Sequence, residues 1–390
     1  MELMFIPSPS ISHLIPMVEL AKLLTERDDR LMTKIFIMKQ PSDSKVSAYI
    51  ESLNSSSISN RIQFIDRPSE DEPTISFDFF SFIESKKPQL KDVLSKLTLV
   101  ESSSNTSRVA AVVLDMFCTP MIDVANEFGI PSYIYYTSGA NFLGLIFHIQ
   151  TLHDEHNQDI VAYEDSDTDL VVPSFVNKVP AKVFPYGLFD NSIFFIKQVR
   201  RFKETKGIII NTFMELEPFA INSYFNAKTP LVYPVGPIMN LKGETHETQE
   251  PQNGFDVMKW LDDQPLSSVV FLCFGSMGSF EKDQVKEIAY ALEHSGCRFL
   301  WSLRKPPPSG GIASPSDYTN LEEILPQGFI ERTQAKEIER GIREVMDPDN
   351  EIRKNVKEIK EKSRKALSDG GSSHSSLDRL IADLMGNIAH

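Results

Sequence analysis

The sequence predicts an α/β protein built from repeated strand–helix units, with parallel sheets in two domains and the second sheet cut short. Three observations predict it. A chain of 390 residues exceeds the size at which one core normally stops growing. Short β-branched apolar runs alternate with longer amphipathic segments, as βα units require. A polar stretch from Asn240 to Gly254, rich in Gly, Thr, Glu, Gln and Pro, interrupts that alternation and reads as a linker.

In chain order, strands are expected at Leu3 to Ile6, Lys34 to Met38, Ile62 to Ile65, Val109 to Leu114, Ser132 to Tyr136, Gly207 to Asn211 and Leu231 to Val235. Helices between them include Leu14 to Arg27, Pro120 to Phe128 and Gly139 to His153. The apolar run Tyr133 to Gln150 is broken by Thr137, Ser138, Asn141 and His148, so it reads as a strand and a buried helix and not as a membrane span. Beyond the linker, helix Phe255 to Leu261, strand Val269 to Phe274, helix Lys282 to His294 and strand Arg298 to Leu303 begin a second βαβ sheet. There the pattern stops. Lys305 to Ser316 is a Pro, Gly and Ser loop, and from Ala335 the chain reads as helical, with Ile338, Ile342, Val345 and Met346 on one face and an amphipathic helix at Ser375 to Met385. Two strands leave open edges and an incompletely covered face.

The balance of 40 Lys and Arg against 54 Asp and Glu gives a net charge of −14, which opposes nucleic acid and anionic bilayers as partners. Cys118, Cys273 and Cys297 are too few and too scattered for a disulfide framework or a zinc site, and all read as reduced core residues. The opening residues, broken by Pro7 and Pro9, lack the apolar core of a secretory signal, so a cytoplasmic location is expected.

In open α/β sheets functional groups gather beyond the carboxyl ends of the strands. His13 follows the first strand and Asp115 ends the strand Val109 to Leu114, so both are expected at one edge of one sheet. A carboxylate that fixes an imidazole tautomer lets the ring take a proton from a hydroxyl. The same residues also suit a solvated loop histidine and a helix cap. A weaker alternative, a metal site on His153-Asp-Glu-His156, lacks an evident third ligand and reads better as a solvated loop.

The segments Phe5-Ile-Pro-Ser-Pro-Ser-Ile-Ser-His13-Leu, Val113-Leu-Asp115-Met-Phe-Cys-Thr119, Tyr135-Tyr-Thr137-Ser-Gly-Ala140, Ile209-Ile-Asn211-Thr-Phe-Met-Glu-Leu-Glu217, Val235-Gly-Pro237 and Phe271-Leu-Cys-Phe-Gly275-Ser-Met-Gly278 occur in this order. Together they resemble the plant secondary-product UDP-glycosyltransferases, inverting enzymes of the GT-B type. The resemblance implies an acceptor-binding Rossmann-like domain over 1–239, a linker over 240–254, the start of a nucleotide-sugar domain over 255–334 and C-terminal helices over 335–390. It implies that His13 is the general base and Asp115 its partner, that Thr137 contacts the donor sugar, and that Gly275, Ser276, Met277 and Gly278 approach the diphosphate. Phe117, Phe142, Phe147, Phe184 and Phe189 are candidates for an aromatic acceptor pocket, although Phe is more often plain core. The implied co-substrate is a UDP-sugar, UDP-glucose first, the acceptor is a plant phenolic such as a flavonoid, no metal is involved, and the working form is a monomer.

Two departures from the family stand out. Ser10 and Ser12 occupy positions where it usually has Gly, and Ser does not adopt positive φ as cheaply, which predicts a displaced site. After Gln334 the family continues into a donor signature with a uracil-stacking Trp, a phosphate-facing His and an acid-Gln pair. Here the chain passes to Ala335, and its two tryptophans, Trp260 and Trp301, lie elsewhere. An internal deletion is the simplest account, leaving either an impaired transferase or a relative that binds small molecules or intact homologues without turnover.

Overall fold

The computed structural model describes residues 1–39, 44–55, 61–66, 79–103, 108–164, 166–184, 186–226, 229–240, 257–275, 278–306, 316, 318, 320–321, 323–327, 329 and 351–387. The linker beyond Asn240, the loop 307–315, the Gln334 to Ala335 junction and the expected helix face from Ile338 to Met346 lie outside the described residues. The chain forms two units, Met1–His246 with Glu361–His390, and Glu247–Lys360.

The first unit holds strands β1 (Glu2–Ile6), β2 (Met32–Ile37), β3 (Ile62–Asp66), β4 (Val109–Asp115), β5 (Ser132–Tyr136), β8 (Gly207–Ile210) and β9 (Leu231–Pro234). They form one seven-stranded sheet in the order β3-β2-β1-β4-β5-β8-β9, every pair parallel. A two-stranded hairpin-like pair, β6 (Asp169–Leu170) and β7 (Val179–Pro180), stands apart. The order reverses between β1 and β4, which creates the crevice where doubly wound sheets bind ligands.

Both faces of the sheet are covered, so the strands read as continuous apolar runs. Leu3 and Phe5 of β1 face a core shared with α1 (Ile11–Arg27), α2 (Ser44–Ser55) and the C-terminal helix Ser372–Gly386. Met4 and Ile6 face the other, shared with α3 (Phe79–Ser85), α4 (Lys87–Ser103), α5 (Met121–Glu127), α6 (Ala140–His156), α8 (Ser192–Phe202) and α9 (Pro218–Ser223). A short helix, α7 (Tyr186–Asp190), precedes α8.

The C-terminal helix, α13, follows α12 (Glu351–Leu367) and returns to the sheet edge. It buries Leu377, Leu380, Ile381 and Leu384, each worth about 1.5–3 kcal/mol when removed from water. Polar ties fix its register. Asp383 accepts hydrogen bonds from Tyr133 at 2.6 Å and Tyr233 at 3.0 Å and pairs with Lys206 at 2.8 Å. Arg27 of α1 grips Asp378 through two 3.0 Å bonds.

In the second unit, α10 (Val257–Asp262) precedes β10 (Val269–Cys273), α11 (Lys282–Ser295) and β11 (Arg298–Ser302), and the two strands pair in parallel. Val285, Ala289 and Leu292 of α11 pack with Ile324, Leu325 and Phe329. Phe271 is 62% exposed and Cys273 is exposed, correcting the reading of all three cysteines as core: only Cys118 is fully buried. Alternate residues of β10 face away from α11, on a face that the described residues leave open to solvent.

Two helix boundaries also differ from the sequence reading. α1 begins at Ile11, three residues before the expected Leu14, and carries Pro16 inside it. α6 continues to His156 and ends at Asn157 in the left-handed conformation, φ 54°. His153 and His156 therefore sit on a helix end and not in a solvated loop. There Arg200 bonds Asp154 at 3.0 Å and His153 meets Asp154 at 2.9 Å, so the cluster is an ion-pair network.

Candidate active site

His13 lies in the first turn of α1, directly after β1, and Asp115 is the last residue of β4, the neighbour of β1 across the switch point. Nδ1 of His13 stands 2.7 Å from Oδ2 of Asp115. The carboxylate is fully buried and the imidazole is 20% exposed. Asp115 accepts on its other oxygen from the amide of Phe117, at 3.1 Å. An ionised carboxylate only accepts, so Nδ1 of His13 carries the proton of their bond and Nε2 remains free as an acceptor.

Burial by itself lowers the pKa of His13, but the hydrogen bond and negative charge of Asp115 outweigh it, and the net shift is upward. Burial, reinforced by Asp115, also holds the Cys118 thiol protonated, so that neighbour is not a nucleophile.

Ser10 and Ser12 do not displace this pair. Ser10 is extended, φ −152°, a conformation any residue adopts, and its hydroxyl lies 2.8 Å from that of Ser12. The strain expected from replacing Gly is therefore absent at Ser10, while Ser12 is already helical.

Phe117 packs edge-on against the His13 ring, with centroids 5.3 Å apart. Around it stand residues that sequence reasoning missed. Phe79 and Phe80 lie 5.9 and 6.3 Å from Phe117, and Phe194 lies 4.4 Å from Phe80. Phe195 links Phe194 to the expected Phe142. The adjacent pairs Phe79-Phe80 and Phe194-Phe195 were the available signal. Phe147, Phe184 and Phe189 are buried in the core on the same side of the sheet, with none in ring contact with His13.

Thr137 follows β5, whose Tyr135 pairs in register with Asp115, and its hydroxyl approaches the sulfur of Met116 at 3.9 Å. The turn that carries it is braced by Glu217. That carboxylate accepts from the amides of Ala140 and Asn141, both at 2.9 Å, and from the hydroxyl of Thr212 at 2.6 Å. A negative charge at the first amides of α6 is where the helix dipole favours it. In the second unit, Gly275 has φ 77°, and a Cβ on Gly278 would stand 2.0 Å from the Phe274 carbonyl oxygen. Both positions require glycine for a tight turn after β10. Ser276 and Met277 lie outside the described residues. Among the described residues no three His, Cys, Asp or Glu are grouped to hold a metal, and no helix is long and apolar enough to cross a membrane.

A Rossmann-type sheet with a buried carboxylate holding a histidine at its switch point, beside a cluster of phenylalanines, defines an α/β enzyme equipped to move a proton on an organic substrate. Comparison narrows that class. Residues 188–328 match the family described as UDP-glucoronosyl and UDP-glucosyl transferase. A UDP-glucose flavonoid 3-O-glucosyltransferase of Fragaria ananassa is 43% identical over 471 residues, covering 97% of this chain and 98% of that protein. A UGT transferase of Siraitia grosvenorii, crystallised with UDP, superimposes with a TM-score of 0.84 at 35% identity, covering 98% and 99% of the two chains. Medicago truncatula UGT71G1, complexed with UDP-glucose, gives 0.81 at 34%, covering 98% of each. The chain belongs to the UDP-glycosyltransferase family, and its fold is of the GT-B type. The match to the Fragaria protein extends over 471 residues against 390 in this chain, so the relative carries sequence with no counterpart here.

Proposed function

We propose that this chain is a UDP-dependent glucosyltransferase for a hydroxyl of a small plant phenolic, and that it is impaired at the donor side. The single observation that carries the reading is the 2.7 Å contact between His13 and a fully buried Asp115, with Nε2 left free beside an aromatic cluster. Nε2 takes the proton of the acceptor hydroxyl while its oxygen forms a bond to the anomeric carbon. The bond from that carbon to the UDP oxygen breaks, UDP leaves with the electron pair, and the configuration inverts. Asp115 stabilises the imidazolium that forms. Phe79, Phe80, Phe117 and Phe194 offer ring faces to a flat acceptor. Thr137 serves the donor sugar, and backbone amides of the Gly275, Ser276, Met277 and Gly278 turn meet the developing phosphate charge. The chain works as a cytoplasmic monomer without a metal.

The impairment rests on the missing stacking Trp and acid-Gln pair after Gln334, together with the greater length of the matched relative. The same observation favours a second reading, in which the aromatic pocket binds phenolics without turnover. A product assay with UDP-glucose and a flavonol panel, run beside His13→Ala, separates the two. Product that disappears in the variant supports transfer. Thermal stabilisation by a flavonol without product supports binding alone, and neither effect rejects both.

A further inference from the structure

β9 ends the sheet on one side, paired with β8 and with no other strand among the described residues. Beside it lies a cavity of about 510 Å³, within the range of small-molecule sites. Tyr224, Phe225, Leu231 and Tyr233 form its apolar wall, and Thr229 and Arg379 its polar one. Phe225 and Leu231 are 61% and 63% exposed, an unusual concentration of bare apolar surface at a concave site. Three strands separate β9 from β1, which at about 4.8 Å per strand step sets the cavity roughly 19 Å along the sheet from His13.

The polar groups around the cavity divide into satisfied and unsatisfied ones. Tyr224 donates to the carbonyl of Ala140 at 2.6 Å, and Tyr233 to Asp383. Asp383, the carboxylate in the wall, is neutralised by Lys206. By contrast, the buried Thr229 hydroxyl oxygen has no hydrogen-bond partner, and the exposed Arg379 guanidinium has no ion pair among the described residues. Strand addition does not suit this edge, because Pro230 and Pro234 remove amide donors at its start and end.

We propose that this cavity is a second binding site, distinct from the acceptor site, for a small planar aromatic carboxylate. The ring packs on Phe225 and Leu231, the carboxylate pairs with Arg379, and the Thr229 hydroxyl bonds the ligand's own polar substituent. Arg379 supplies the planar donor fork that matches a carboxylate.

Calorimetric titration of the full chain with 4-hydroxycinnamate tests this. Expected are saturable binding, a loss of about tenfold in affinity in Arg379→Gln and for the methyl ester on the unmodified chain, a smaller loss in Thr229→Val, and no change in His13→Ala. Arg379 is exposed, so its replacement leaves the thermal midpoint in place. Absence of binding at millimolar ligand, affinity indifferent to Arg379→Gln, or binding lost in His13→Ala would each overturn the proposal. So would sedimentation showing a dimer that Leu231→Asp dissociates while the ligand fails to bind, which would make the cavity an interface between copies.

Discussion

The carboxylate of Asp115 serves His13 with one oxygen and the chain itself with the other: Oδ2 meets Nδ1 at 2.7 Å while Oδ1 holds the amide of Phe117. Its orientation is therefore set by backbone, and the histidine inherits that orientation.

Asp115→Asn removes the charge and keeps the shape. The negative charge that opposed burial is then gone and only a neutral hydrogen bond remains, so the titration of His13, followed by imidazole NMR, moves downward from its raised position. Where transfer is measurable, the rate falls by about 10²–10⁴, the usual contribution of a positioned base. A titration unchanged in the variant would show that the pair is not coupled.

Stability carries the same signature. His13 has a folded pKa above its unfolded value of 6.5, so its contribution is fully present below pH 6.5 and is lost as pH rises through the raised folded value. Urea unfolding of the unmodified chain and of His13→Ala should therefore differ more at pH 6 than at pH 8. A gap that widens with pH contradicts the assignment.

Glu217→Ala strips the first amides of α6 and the Thr212 hydroxyl of their acceptor. The expected cost is about 1–3 kcal/mol in urea unfolding, and Glu217→Gln, which keeps an acceptor oxygen, should recover part of it.

Asp383→Ala leaves the hydroxyls of Tyr133 and Tyr233 and the ammonium of Lys206 without their shared acceptor. A loss of about 2–3 kcal/mol is expected. Hydrogen exchange should quicken across residues 372–386 before it does in β4 and β5, since the helix edge loosens first.

UDP-glucose should bind more weakly than millimolar. The lost segment would supply the uracil stack and most of the sugar and phosphate bonds. Micromolar binding by calorimetry would require another donor site.

Strands were legible because a parallel sheet covered on both faces makes uninterrupted apolar runs, as in Val109 to Leu114 and Ser132 to Tyr136. The His13 and Asp115 pairing was legible because each sits at the carboxyl end of such a run, although the strand order that makes β1 and β4 neighbours was not. The ring cluster escaped because Phe79, Phe117 and Phe194 meet only through tertiary packing, and phenylalanine looks the same in core and pocket. Periodicity exposed the apolar stripe of the C-terminal helix but not its partners, since Asp383 answers tyrosines 250 and 150 positions away. Cys273 stands in solvent because β10 has β11 as its one strand neighbour among the described residues, which alternation along a strand does not reveal.

Those distant tyrosines set the timetable of biosynthesis. The leading sheet emerges from the ribosome first, yet β5 and β9 wait for the helix that completes their packing until Asp383 has been translated. Throughout that interval the sheet face destined for Leu377, Leu380 and Leu384 lacks its cover.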